Sequence, residues 1–387
     1  MMKKRFVTLD VMRGLTVAFM CLVNNPGTWS KIYPPLRHAP WFGCTPTDLV
    51  FPFFVFCMGC AMAFSLAKYD SLNREAAWKI TKRGLGIFLV GLLLNLYPFY
   101  PYNPHDATWT FSQNYGYWLE HKRILGVLQR IGISYIIAGF VILALKKDVK
   151  KISLAALGLF VVYTAVLVIF QGPSGGPFSI EGTFAPKVDI AVFGENHLYR
   201  RYLAPDGNRY WFDPEGLWGS LTGACTAILG FLSGTLVRSS QASYAASPNE
   251  KDSPTGVVAR LFMWGTASLA AAMVLSIWIP ISKPLWTPSY VLYAGGWAMV
   301  VLAFLSYLID VKGYEKPFTP AKIFGMNALA AFVFSGVLAK TFGWIGWNPS
   351  KYFTASEFTS LIYAILFVSV VFCFSWLLYR KKIFIKL

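Results

Sequence analysis

The sequence is poor in charge and poorest in acids. Of 387 residues only 14% are charged, and Asp and Glu together number 18. A soluble domain usually carries about 25% charged residues. The shortfall excludes a disordered chain, a nucleic-acid reader and an ordinary soluble globule. No P-loop and no dinucleotide fingerprint occurs. Histidines number four, and none has metal-ligand spacing to another, so no metal is expected. The six cysteines are equally uninformative. Five lie in apolar runs and only Cys44 falls in a loop. Cys57 and Cys60 follow Phe53-Phe54-Val55-Phe56 and share one helix face as small packing residues, which argues against redox or zinc chemistry.

What the chain has is apolar length: 56% of its residues are hydrophobic and 17% aromatic. Stretches able to cross a bilayer fall at 8–25, 46–67, 84–98, 124–145, 152–170, 217–237, 258–280, 287–309, 321–342 and 357–379. The expected fold is therefore all-α, one polytopic membrane bundle of about ten transmembrane helices across 1–387. The first run follows Lys3-Lys4-Arg5, but Asp10 and Arg13 interrupt it, and it reads as a retained helix. With a cytoplasmic N-terminus, cytoplasmic segments hold 22 of the 35 Lys and Arg residues and outer segments hold 10. The positive-inside rule then places both termini in the cytoplasm. The outer face receives the loops 26–45, 99–123 and 171–216. The stretch 239–256 reads as a flexible cytoplasmic linker between six helices and four.

Charges within spans are costly and mark function or pairing. Asp10 and Arg13 lie one turn apart and can pair, or meet an anionic ligand. Arg130 suits a phosphate, or a buried acid such as Asp48. Asn327 suits an interhelical hydrogen bond. Among the histidines, His38 stands out. It lies between Tyr33-Pro34-Pro35 and Trp41, just ahead of a helix that Thr45 or Thr47 can cap, with Asp48 in its first turn. A histidine beside a buried carboxylate is a candidate general base.

These residues fall in ordered blocks. Leu9-Asp10-Val11-Met12-Arg13-Gly14, Val23-Asn24-Asn25 and the run from Arg37-His38 to Pro52 come first. Gly126-Val127-Leu128-Gln129-Arg130-Ile131-Gly132, Gly194-Glu195-Asn196-His197-Leu198-Tyr199 and Asp213-Pro214-Glu215-Gly216 follow. Ile279-Pro280-Ile281-Ser282-Lys283-Pro284-Leu285-Trp286 and Gly325-Met326-Asn327 complete the set. Over nearly the whole chain they resemble the heparan-α-glucosaminide N-acetyltransferase family. The resemblance implies acetyl transfer from acetyl-CoA to the free amine of a terminal glucosamine, a polytopic acyltransferase fold and a homodimer. It assigns catalytic roles to His38 and Asn24. The chain lacks the large N-terminal luminal extension of lysosomal members, and its 171–216 loop has no cysteine. It therefore resembles a compact bacterial homologue, with the acceptor site facing the periplasm from the inner membrane.

The chemistry implied is concrete. His38 accepts the ammonium proton, or takes the acetyl group itself in a ping-pong route. Asn24 donates to the oxyanion. Asp48 orients His38 or binds the amine. Arg13, Arg130 and Asp10 are candidates for the acetyl-CoA path from the cytoplasm. His197, Glu195, Asp213, Glu215 and Trp41 are candidates for the amino sugar. Two rivals remain: an acyltransferase for another envelope glycan or cell-wall fragment, and a sugar transporter.

Overall fold

A computed structural model describes residues 6–102, 105–204 and 207–385, with the side chains of Arg200 and Arg201 left aside. Lys3, Lys4, Arg5 and Lys386, which entered the charge count, lie outside the described residues. Thirteen α-helices form among the described residues. They are α1 (Val7–Val23), α2 (Pro46–Ser65), α3 (Arg74–Leu96), α4 (Phe111–Glu120), α5 (Val127–Ala144), α6 (Val149–Ile169) and α7 (Ala185–Phe193). After a two-stranded antiparallel ribbon, β1 (Arg200–Leu203) with β2 (Arg209–Phe212), come α8 (Trp218–Ala246), α9 (Pro254–Leu275) and α10 (Pro288–Ser306). The chain ends in α11 (Thr319–Met326), α12 (Ala328–Trp344) and α13 (Glu357–Arg380).

Ten of the expected apolar runs find helices here, the ninth as the pair α11 and α12. Seven of the helices are long and apolar enough to cross a membrane, and the α11–α12 pair, bent by 70°, makes an eighth. The other two are α1, with 17 residues, and α3, whose first turns carry Arg74, Glu75, Lys79, Lys82 and Arg83. This is an integral membrane protein of the all-α class. Some boundaries differ from expectation. Asn73 caps α3 by accepting from the Ala76 N–H, so that helix starts well ahead of its apolar stretch. Helix α8 continues through Ser- and Ala-rich sequence to Ala246, into the segment read as a linker. Asn327 marks the break between α11 and α12. Its amide donates to the Ile383 carbonyl and accepts from the Ile385 N–H, so its partner is the C-terminal backbone.

Helices in lipid gain little from apolar burial against one another and rely on close backbone approach. Two crossings show it. A Cβ on Gly59 of α2 would lie 1.9 Å from the Ala227 carbonyl oxygen of α8. A Cβ on Gly14 of α1 would lie 1.7 Å from the Ala321 carbonyl oxygen of α11. Only glycine permits either contact.

Successive helices alternate direction, so the segments 24–45, 97–126, 170–217, 276–287 and 345–356 gather at one end. Hydrogen bonds between them hold that end together. Gly27 N–H donates to Ser360 O, Gly43 N–H to Ile281 O and Ile124 N–H to His197 O. The N-termini of α2, α5, α8 and α10 all point there, and their dipoles favour negative charge. Asp48, Asp189, Asp213 and Glu215 lie at this end.

Candidate active site

The site begins at the corner where the 24–45 loop enters α2. A 3-10 turn at Pro34–Leu36 stiffens the approach. The Arg37 Nε donates to Ile32 O, the Thr45 hydroxyl to Arg37 O and the Thr47 hydroxyl to Pro35 O. The two threonines thus tie the loop to the helix. Asp48 supplies the helix cap: its Oδ2 accepts from the Thr45 N–H at 3.0 Å and the Ala39 N–H at 2.9 Å. Its Oδ1 lies 2.6 Å from His38 Nδ1. Below it, the Tyr290 hydroxyl donates to the Asp48 carbonyl at 2.6 Å.

This arrangement sets the imidazole. A carboxylate only accepts, so Nδ1 carries a proton and Nε2 is the ring atom left to face a substrate. Asp48 is 1% exposed at its side chain and His38 is 42% exposed. The carboxylate is locked inside and the imidazole faces out. Among the described residues no hydrogen bond to Nε2 forms, which is the requirement for a base awaiting substrate.

A third group completes the corner. Lys283 Nζ lies 3.3 Å from Asp48 Oδ1 and 3.1 Å from His38 Nδ1. The 279–287 loop carries it there. The Ser282 hydroxyl donates to Trp41 O, and the Thr287 hydroxyl donates to Pro280 O. Trp286, fully buried, anchors the loop with its Nε1 donating to the Thr226 hydroxyl. Trp286 adopts φ of 59°, a costly conformation for a bulky residue that marks an over-determined position. Burial pulls the Lys283 ammonium below its ordinary value, and the charges of Asp48 and Glu215 push back. Cys44, in the same corner, is no nucleophile: burial and then the Asp48 charge push its thiol up to about 12.

The sugar-side candidates split. Asp213 and Glu215 both bind Arg123, whose Nε donates to Asp213 Oδ2 at 2.8 Å and whose Nη2 meets Glu215. Burial pushes the Glu215 carboxyl up, but the Arg123 and Arg130 guanidiniums win and hold it below the usual carboxylate range. His197 is half-buried, with Nδ1 against the Lys122 carbonyl at 2.7 Å, so it ties the 195–198 turn to the start of α5. Glu195 is exposed and accepts from Trp211 Nε1. Trp41 donates to Phe178 O and packs edge-on against Phe212, its ring centroid 4.8 Å away. Trp41 thus joins the His38 corner to the 171–216 segment, whose Ile180, Ala185 and Phe212 form a small core with Tyr163 and Leu167 of α6 and with Leu285.

The remaining candidates lie apart. Asn24 is the exposed C-cap of α1, on the same end of the bundle, and among the described residues it makes no hydrogen bond to His38. Arg13 binds Asp10 within α1. Arg130 is 1% exposed, donates to Gly216 O at 2.8 Å and lies over the Trp286 ring at 5.1 Å. It belongs to the same end of the bundle as His38, beneath Glu215, and its partner is the Gly216 carbonyl, not Asp48. Arg123, Lys283 and the buried Asp189 were not singled out by sequence. Asp189 accepts from the Leu217 N–H at 2.8 Å, and burial pushes its carboxyl up to about 7.

The fold and the corner together define a polytopic membrane protein with a histidine–carboxylate pair, its imidazole exposed, at the N-terminal end of a membrane helix. Comparison with known proteins narrows that class. A family model described as heparan-alpha-glucosaminide N-acetyltransferase, catalytic, matches residues 5–178. The heparan-alpha-glucosaminide N-acetyltransferases of Homo sapiens and Mus musculus are each 27% identical, over 99% of this chain. The chain spans 60% of the length of each of these curated relatives. Over residues 5–178, which hold His38 and Asp48, the chain is thus similar to the catalytic region of that family.

Proposed function

We propose that this protein is a transmembrane N-acetyltransferase that moves acetyl from acetyl-CoA to the amine of a terminal glucosamine or related amino sugar. One observation carries the reading: His38 is held by Asp48 through Nδ1 with its Nε2 edge open at the outer end. An aminosugar reaches the site as an ammonium and must lose a proton before its nitrogen attacks a thioester carbonyl. His38 Nε2 accepts that proton and Asp48 stabilises the imidazolium formed; the new N–C bond forms as the thioester C–S bond breaks, and the departing CoA thiolate takes the proton back from the imidazolium. Asn24 is the candidate donor to the developing oxyanion.

Acetyl-CoA approaches from the cytoplasm in this reading. At the inner end Arg238, Lys79 and Lys147 donate to the Ala63, Ser65 and Ala67 carbonyls around the C-terminus of α2. That basic rim suits the phosphates of CoA better than Arg13, which Asp10 already neutralises. The outer charged cluster of Arg123, Asp213 and Glu215 shapes the wall beside the acceptor. Its acids are bonded to Arg123, so they supply sugar contacts only through oxygens left over from that pairing.

The test is transfer of labelled acetyl from acetyl-CoA to glucosamine by purified protein in detergent, with no membrane gradient. N-acetylglucosamine formed under those conditions supports the enzyme reading. Uptake of sugar into proteoliposomes with no acetylated product, from glucosamine or from glucosamine-ended oligosaccharides, favours the transporter.

A further inference from the structure

Lys283 stands at the centre of the corner. Its ammonium is within 3.3 Å of Asp48 Oδ1 and 3.1 Å of His38 Nδ1. Nδ1 has already committed its proton to Asp48, so Lys283 has no lone pair there to bond. The carboxylate draws the ammonium in, and the imidazole must tolerate a cation at van der Waals range. The side chain of Lys283 is 17% exposed, so solvent screens this field only weakly.

We propose that Lys283 is a positioning residue whose charge keeps His38 neutral and Nδ1-protonated, ready to accept a proton at Nε2. The importance of this for acetyl transfer rests on the function proposed above. Asp48 alone favours the imidazolium, which would occupy Nε2 before substrate arrives. A cation on the same oxygen opposes that protonation while leaving the orienting hydrogen bond intact. The other groups around His38 do not substitute for it. From the approach loop, Arg37 is turned to the Ile32 carbonyl, and the Cys44 thiol is uncharged. From α10, Tyr290 addresses the Asp48 backbone. From the segment ahead of α8, Glu215 offsets part of the Lys283 charge and is itself held by Arg123 and Arg130. Lys283 is therefore the cation that faces the pair directly, and Glu215 connects it to the outer charged cluster.

The experiment reads His38 itself and does not require turnover. Full-length protein in detergent is treated with diethyl pyrocarbonate over a pH series from about 5 to about 9, the range in which histidine titrates. Modification of each histidine is followed by peptide mass spectrometry, since only the neutral imidazole reacts. Lys283→Met and Lys283→Gln should raise the midpoint for His38 by about one pH unit, as loss of a neighbouring cation requires. Lys283→Arg should restore it, and Ser282→Ala, which loosens the loop without changing charge, should leave it in place. The titrations of His105, His121 and His197 should stay fixed in every variant and so report intact structure. An unchanged His38 midpoint in Lys283→Met with the other three fixed would overturn the proposal. So would an equal shift in Ser282→Ala. Should the wild type transfer no acetyl while the His38 shift appears, the assignment of Lys283 stands and the proposed function fails.

Discussion

Replacing Asp48 with Asn changes one atom and tests the geometry of the corner. Asp48 uses both oxygens: Oδ2 accepts two backbone N–H groups and Oδ1 accepts His38 Nδ1–H. Asn has one oxygen and one amide nitrogen to place. If the oxygen stays on His38, the amide faces the Ala39 and Thr45 N–H groups, and two buried donors lose their acceptor. That costs about 1–3 kcal/mol each. If the amide turns to His38, both N–H groups keep their acceptor, but Nδ1 must then accept and the ring proton moves to Nε2. The second arrangement wins by about 2–6 kcal/mol on that count. The base is then blocked at the atom that should take the proton. A penalty of 3–5 kcal/mol to reach the productive tautomer corresponds to a fall of about 10²–10⁴-fold in kcat. That is the scale seen when the same change is made in a serine-protease triad. The assay is acetyl transfer from labelled acetyl-CoA to glucosamine, with thermal unfolding in the same detergent beside it. Stability should fall by about 3–5 kcal/mol, because the helix keeps its cap acceptor but the largely buried Lys283 ammonium loses the carboxylate it faces at 3.3 Å. Activity within about threefold of wild type in a folded Asp48→Asn protein would refute the reasoning.

Other outcomes follow from the same geometry. Arg123→Met leaves Asp213 and Glu215 buried without their cation and should cost about 3–5 kcal/mol, read as a lower Tm in detergent. Gly14→Val forces a side chain into the Ala321 carbonyl and should yield aggregate on size exclusion. Gly116→Ala in α4, where nothing lies within 4 Å of the new Cβ, should be neutral or stabilise by about 1 kcal/mol. Asp189 binds its proton more tightly in the fold, at about 7, than in the unfolded chain, where the ordinary value is 3.8. Between those values the native state holds the extra proton, so this group's contribution makes stability fall as pH rises from about 4 to about 7, levelling above. Asp189→Asn, which still accepts from Leu217, should flatten that part of the pH–stability curve.

Much of the fold was legible because apolar length is a local property. Each of the ten runs announces its helix within its own residues. Boundaries were less so. The first turns of α3 are charged, and only the Asn73 cap reveals where the helix starts. The break at Asn327 has no proline to signal it, and the amide's partners come from the far end of the chain. The site divides the same way. His38 and Asp48 are ten residues apart across a stiff loop and a helix start, so their pairing can be anticipated from spacing and capping. Lys283 lies 245 residues from His38, and Arg123 lies 90 residues from Asp213. No local pattern joins either pair. Asp213 and Glu215 therefore read as free acids suited to an amino sugar, whereas the fold supplies Arg123 to both. Arg130 shows the same limit: its place in α5 is readable, but not its neighbours Gly216 and Trp286, which come from α8's approach and the 279–287 loop.

The proposed role of His38 is that of general base for acetyl transfer. Its most direct test is the rate of transfer from acetyl-CoA to glucosamine by wild type and His38→Ala in parallel, each shown to be folded by its unfolding profile. The account predicts product from wild type and a fall of about 10²-fold or more in His38→Ala, as loss of a general base requires. Equal rates from the two folded proteins would contradict it.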